Sequence, residues 1–181
     1  MKCPHYELCK GWYGAKVHPG GEKFQILEKL GTCSSLEFGQ CMYLFKMYNP
    51  RIPVLIVEDE DAIRENLVLM VQNLYGDSAV AFPANSYFAG YQMVQKRYFP
   101  LALLDVRLGD GSGIQLLEDI KRESSPTTVV MITAFDKFTE LIQHAKDKGA
   151  AECLGKPFTF EQIKNLLDKY LIPIRDRYQR I

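Results

Sequence analysis

The chain has 181 residues, 47% of them hydrophobic, enough to bury the core of one ordinary domain and leave about fifty residues for something smaller. Its 22 basic and 22 acidic residues cancel, which excludes a global field drawing the protein to nucleic acid or an anionic membrane, so charged recognition must be local. The opening MKCPHYELCKGWYGAK lacks the apolar region and cleavage site of a secretory signal, and no later run approaches membrane-spanning length. A cytoplasmic protein without membrane contact is therefore expected, its cysteines reduced.

Residues 1–50 form a small cysteine-containing segment with weak periodicity, ending near Asn49-Pro50-Arg51-Ile52-Pro53. Cys3 and Cys9 are spaced C-x5-C, and Cys33 and Cys41 C-x7-C. Two readings stand. The four thiolates could hold a structural Zn²⁺, with His5 or His18 able to replace one of them, although the spacing is wider than the common two-to-four-residue knuckle. Equally, they could be small buried hydrophobes or free thiols. An iron–sulfur cluster is less favoured than either.

From residue 51 to about 172 the sequence alternates regularly between strand and helix. Pro53–Val57 is an apolar run of strand length, followed by a helical stripe of Ile63, Leu67, Met70, Val71 and Leu74 that stops at Gly76. Ser78–Phe82 predicts a weaker strand and Asn85–Lys96 a helix with a tyrosine-rich face. Leu101–Leu104 predicts a buried strand, and Ile114, Leu116, Leu117 and Ile120 a third helix opened by Gly111 and Gly113. Thr127–Ile132 is β-branched, as a fully buried strand should be, and a helix marked by Phe138, Leu141, Ile142 and Ala145 ends at Gly149. Ala150–Leu154 is the fifth strand. Thr159 and Gln162 fit a capping box for a last helix with a stripe of Ile163, Leu166, Leu167 and Tyr170. Residues 173–181 read as a short basic tail.

Apolar strands joined by helical crossovers imply a doubly wound α/β domain with a five-stranded parallel sheet. Ligands of such sheets sit beyond the carboxyl ends of the strands, where the winding reverses. Glu58 and Asp59 follow the first strand, Asp105 the third, Thr133 the fourth, and Lys156 lies two residues past the fifth. Each has a plain structural reading, as a helix-start acid, a turn residue, a strand end or a solvated lysine. Together they are harder to dismiss. Three carboxylates at one edge cannot all ionise without a compensating cation, and oxygen-only ligands favour Mg²⁺ over zinc.

The stretch from Pro53 to Tyr170 resembles a response-regulator receiver domain of two-component signalling. VLIVEDED matches the family's strand and acidic pair, LLDVRLGDGSG its phosphoacceptor segment with a glycine eight residues after the aspartate, MITA its Thr-Ala strand end, and LGKPF its Lys-Pro-Phe. No single motif is specific, but the four occur in order, with 46, 28 and 23 residues between Asp59, Asp105, Thr133 and Lys156. The resemblance implies a flavodoxin-like sheet of order 2-1-3-4-5. It makes Asp105 the nucleophile that takes a phosphoryl group from a sensor histidine kinase or phosphotransfer protein. Mg²⁺ would be ligated by Asp59, Asp105 and the backbone carbonyl of Arg107, with Glu58 acting through water. Lys156 and Thr133 would contact the phosphoryl group, and the Lys156-Pro157 bond would be cis.

The resemblance also places the readout face on the fourth helix, fifth strand and fifth helix, roughly residues 136–170, as the surface for a downstream protein or a homodimer. Two positions depart from the family. Cys153 replaces the aromatic switch residue three before the lysine, and Gly109 replaces a common proline, which loosens that loop. His144 reads as a solvated helix residue. The tail is too short for a DNA-binding output domain, so direct DNA binding is not expected and signalling is expected to run through protein contacts. The alternative is a pseudo-receiver that binds constitutively, with metal or redox input at the cysteines. A metabolic α/β enzyme finds little support: no G-x-G-x-x-G follows the first strand, there is no P-loop lysine, and DVRLGDG lacks the second aspartate of haloacid-dehalogenase-like phosphatases.

Overall fold

The computed structural model describes residues 51–123, 126–134 and 138–179; the four N-terminal cysteines, His5 and His18 lie outside them. The strands of the main sheet are β1 (Ile52–Val57), β2 (Ala79–Ala84), β3 (Leu101–Asp105), β4 (Thr128–Ala134) and β5 (Glu152–Lys156). Between and after them run α1 (Asp61–Tyr75), α2 (Tyr87–Lys96), α3 (Gly113–Glu123), α4 (Phe138–Asp147) and α5 (Phe160–Gln179). The sheet is wholly parallel in the order β2-β1-β3-β4-β5, as the resemblance implies. The chain winds outward from β1 to β2, then crosses back to β3 and continues the other way. The reversal opens a crevice at the carboxyl ends of β1 and β3.

The unbroken apolar strands are explained by burial on both faces. All six residues of β1 and all five of β3 are buried. Alternate residues serve opposite sides. Ile52, Val54 and Ile56 join Leu101 and Leu103 against α1 and α5, whereas Leu55, Val57, Ala102 and Leu104 face α3. Gly90 of α2 allows close packing there, since a Cβ would come within 2.9 Å of both Val57 and Leu116. Among the described residues no helix is long and apolar enough to cross a membrane.

Several boundaries differ from those the sequence suggests; β4, for one, runs on to Ala134 and so includes Thr133. β2 continues through Pro83 to Ala84, because an edge strand tolerates a residue without an N–H. α2 begins at Tyr87, capped by the Ser86 hydroxyl, which accepts from the Ala89 amide. β5 is displaced two residues along the chain, so Lys156 is its last residue and pairs with Ala134. α5 runs past residue 172 and through Pro173 to Gln179, with Leu171 and Ile174 in the core. The capping box is present: the Thr159 hydroxyl accepts from the Gln162 amide at 3.2 Å, and the Gln162 side chain accepts from the Thr159 amide at 2.7 Å. The Lys156-Pro157 bond is cis.

Candidate functional site

Glu58, Asp59, Asp105, Arg107, Thr133 and Lys156 each stand within two residues of a strand end, with Thr133 inside β4 rather than beyond it. The Glu58 amide donates to Ala84 of β2 at 3.0 Å, which carries the chain one residue beyond β1 before it turns into α1. Glu58 is buried, at 1% exposure, while Asp59 next to it is exposed. Asp105 ends β3 and is also buried. Carboxylate oxygens of Glu58, Asp59 and Asp105 lie within 4.8 Å of one another. The Lys156 ammonium reaches in from β5, 2.8 Å from Asp105 Oδ2 and 2.8 and 2.7 Å from the two oxygens of Glu58. Thr133 is buried one residue beyond the level of Asp105 on β4, its hydroxyl making a long 3.4 Å contact to the Ala134 carbonyl. The Arg107 side chain is exposed, and its amide donates to Asp105 Oδ1 at 3.3 Å.

Burial pushes the Glu58 carboxyl up to about 7, the Asp105 charge adds to the rise, and the hydrogen bond from Lys156 opposes it. Burial also works against the Lys156 ammonium, but its hydrogen bonds to Asp105 and Glu58 outweigh this and raise its pKa. A carboxyl held near neutrality with an ammonium against both its oxygens marks a pocket short of positive charge. The donors are all carboxylate oxygens, so the residues fit a hard divalent cation.

The shift has a testable sign. A carboxyl whose folded pKa is raised holds its proton more tightly in the folded state. Its ionisation therefore destabilises the fold progressively between its ordinary value of 4.5 and about 7. With metal chelated, wild type should lose stability relative to Glu58→Gln as pH rises across that window, by on the order of 2–3 kcal/mol. Urea midpoints of both proteins at pH 5 and pH 8 check this, and an unchanged gap would refute it.

The profile of the response regulator receiver domain matches residues 54–168. The chain belongs to that family. The response regulator protein PilR of Pseudomonas aeruginosa is 33% identical over 117 residues, which cover 65% of this chain and 25% of PilR. Sporulation initiation phosphotransferase F of Bacillus subtilis is 29% identical over 118 residues, covering 65% of this chain and 92% of that protein. The KDP operon transcriptional regulatory protein KdpE of Escherichia coli is 35% identical over 111 residues, covering 61% of this chain and 47% of KdpE. The chain thus spans less than half the length of PilR and of KdpE. Two solved structures share the fold. A CheY-like receiver domain protein from Methanospirillum hungatei has a TM-score of 0.60 at 23% identity, covering 72% of this chain and 98% of that one. Chemotaxis protein CheY4 of Vibrio cholerae has a TM-score of 0.60 at 22% identity, covering 66% and 98%.

Two features of this receiver domain escape a reading by motif, and a third, Gly113, is part of the motif but has a physical reason that the motif does not state. Arg64 of α1 donates to the carbonyls of Glu58 and Asp59 and pairs with Asp61; the i,i+3 pairing of Asp61 with Arg64 is its only trace in sequence. Asp110, between two glycines of the loop that follows β3, caps α2 from a distance, accepting from the amides of Tyr87 at 2.7 Å and Phe88 at 3.0 Å. Those bonds, the one from Phe88 foremost, hold its carboxyl below the ordinary value. They also tie down the loop where Gly109 replaces the family's proline. Finally, the glycine eight residues after Asp105 is a steric necessity, because a Cβ on Gly113 would lie 1.8 Å from the Asp105 carbonyl oxygen. Cys153 is half-buried on β5, and burial pushes its thiol pKa up.

Proposed function

We propose that this receiver accepts a phosphoryl group on Asp105 from a sensor histidine kinase or phosphotransfer protein, and passes the signal on through contacts with another protein. The observation that supports this best is Lys156, whose ammonium touches the carboxylates of both Asp105 and Glu58 at the sheet edge. Asp59, Asp105 and the Arg107 carbonyl would hold Mg²⁺, with Glu58 acting through water. When bound, the ion neutralises charge on the transferring oxygens.

The chain's own residues do the rest. A carboxylate oxygen of Asp105 bonds to phosphorus as the bond from phosphorus to the donor's imidazole nitrogen breaks, the bonding pair leaving on that nitrogen, to give an acyl phosphate. Lys156 orients that carboxylate and screens the incoming oxygens. The Thr133 hydroxyl, weakly engaged at Ala134, is available to donate to the new phosphoryl group, which would bias an equilibrium between two arrangements of the output face. That face is the outer surface of α4, β5 and α5, offered to a downstream protein or to a second copy.

Incubation with acetyl phosphate and Mg²⁺ tests the reading. Intact-mass measurement should show one added phosphoryl group on wild type and none on Asp105→Asn. An unmodified wild type would favour the constitutive-binding alternative, for which the missing ring at Cys153 is the supporting observation. Equal labelling of Asp105→Asn would move the acceptor elsewhere.

A further inference from the structure

The turn from β1 into α1 carries four consecutive acids, Glu58 to Asp61, and its helix starts without the usual support. The N-cap residue is Glu60, in extended conformation, and its side chain makes no capping hydrogen bond. Two carbonyls, those of Glu58 and Asp59, have left the strand ladder at this point. Arg64, one turn into α1, is a donor only and cannot cap the helix amides, but it satisfies these two carbonyls. Its Nη1 donates to the Glu58 carbonyl at 2.8 Å and to the Asp59 carbonyl at 3.3 Å, and its Nη2 pairs with the Asp61 carboxylate. The arginine side chain is only 15% exposed, although Asp61 is 78% exposed. Its own amide donates to the Glu60 carbonyl at 3.0 Å, so the helix backbone holds its base to the same turn.

We infer that Arg64 is a positioning residue for the cation site: by clasping the backbone of Glu58 and Asp59 from behind, it sets the direction in which their carboxylates face Asp105. A planar fork can hold two carbonyls and a carboxylate at once, which a single ammonium cannot do in the same geometry. This inference rests on the function proposed above.

Geometry and charge predict opposite signs here, which makes the role testable. If Arg64 acted only as a nearby positive charge, removing it would tighten the binding of a divalent cation. If it positions the turn, removing it must weaken binding despite the more negative field, and keeping the charge as lysine must not rescue it. Calorimetric titration of the full chain with MgCl₂ should show Arg64→Gln and Arg64→Lys each binding about 10- to 100-fold more weakly than wild type, at a temperature where circular dichroism shows all three folded. Tighter binding by Arg64→Gln, or unchanged binding by either variant, would overturn the positioning role alone. A wild type that binds no Mg²⁺ would overturn the proposed function with it. Should Arg64→Gln not fold, Arg64→Lys still decides the point.

Discussion

Gly113→Ala is expected to cost roughly 3 kcal/mol or more of folding stability, the largest effect of any single added methyl group on the described glycines. The methyl would sit 1.8 Å from the Asp105 carbonyl oxygen and 2.8 Å from its carbon. Both are backbone atoms at the end of a central strand, so no side-chain rotation relieves the clash. Either β3 or the start of α3 must move by more than 1 Å, and the 3.0 Å hydrogen bond from the Gly113 amide to the Val106 carbonyl goes with it. Displacing the end of β3 also pulls Asp105 from Lys156, so phosphoryl uptake should fall with stability. Two neighbouring glycines serve as controls. A Cβ on Gly111 meets the Tyr87 side chain at 2.9 Å, and one on Gly109 meets Asp59 Oδ2 at an ordinary 3.6 Å. Urea unfolding should rank the alanine variants Gly113 far worst, then Gly111, then Gly109; a Gly113 variant as stable as the Gly109 variant would contradict the steric argument.

Lys156→Met should have the second large effect. The substitution keeps the apolar stem and removes the cation between two buried carboxylates. Breaking a buried pair from one side costs about 3–5 kcal/mol, and that loss should appear in full at pH 8 with metal chelated. On acidification Glu58, whose carboxyl burial already pushes up to about 7, can escape by taking up a proton, so the deficit should shrink towards pH 5. Phosphoryl uptake from acetyl phosphate should fall by about 10²-fold or more, because the transferring oxygens lose a preorganised positive partner. Urea midpoints at the two pH values and labelling rates by intact mass check both halves. Equal stability of variant and wild type at pH 8 would show that the ammonium is not needed to hold these carboxylates.

The order of elements and the gathering of Glu58, Asp59, Asp105 and Lys156 could be read from sequence because both follow from periodicity. Apolar runs of strand length fix where the strands lie, and the winding rule brings their carboxyl ends together. What sequence could not show depends on contacts between distant residues. The start of α2 is set partly by Asp110, more than twenty residues away, and no local pattern announces a cap supplied from another loop. α5 passes its proline because Leu171 and Ile174 lie in the core with Ile163 and Leu167, and that packing outweighs a local breaker. β5 is shifted because its pairing with β4 fixes its register, whereas its own mix of apolar and polar residues does not. Arg64 was invisible for a simpler reason: its partners are mainly carbonyls, and carbonyls have no letter in a sequence.

The sheet divides the interior into two apolar compartments with no side chain in common, one beneath α1 and α5 and the other containing α3. Space emptied on one side cannot be refilled from the other, because the intervening wall is hydrogen-bonded backbone. Defects in opposite compartments should therefore accumulate independently, each felt across the wall only as a displacement of β1, β3 or β4. Those three strands are also the ones whose ends bear Glu58, Asp105 and Thr133, so the polar rim is where a disturbance in either half of the interior first registers.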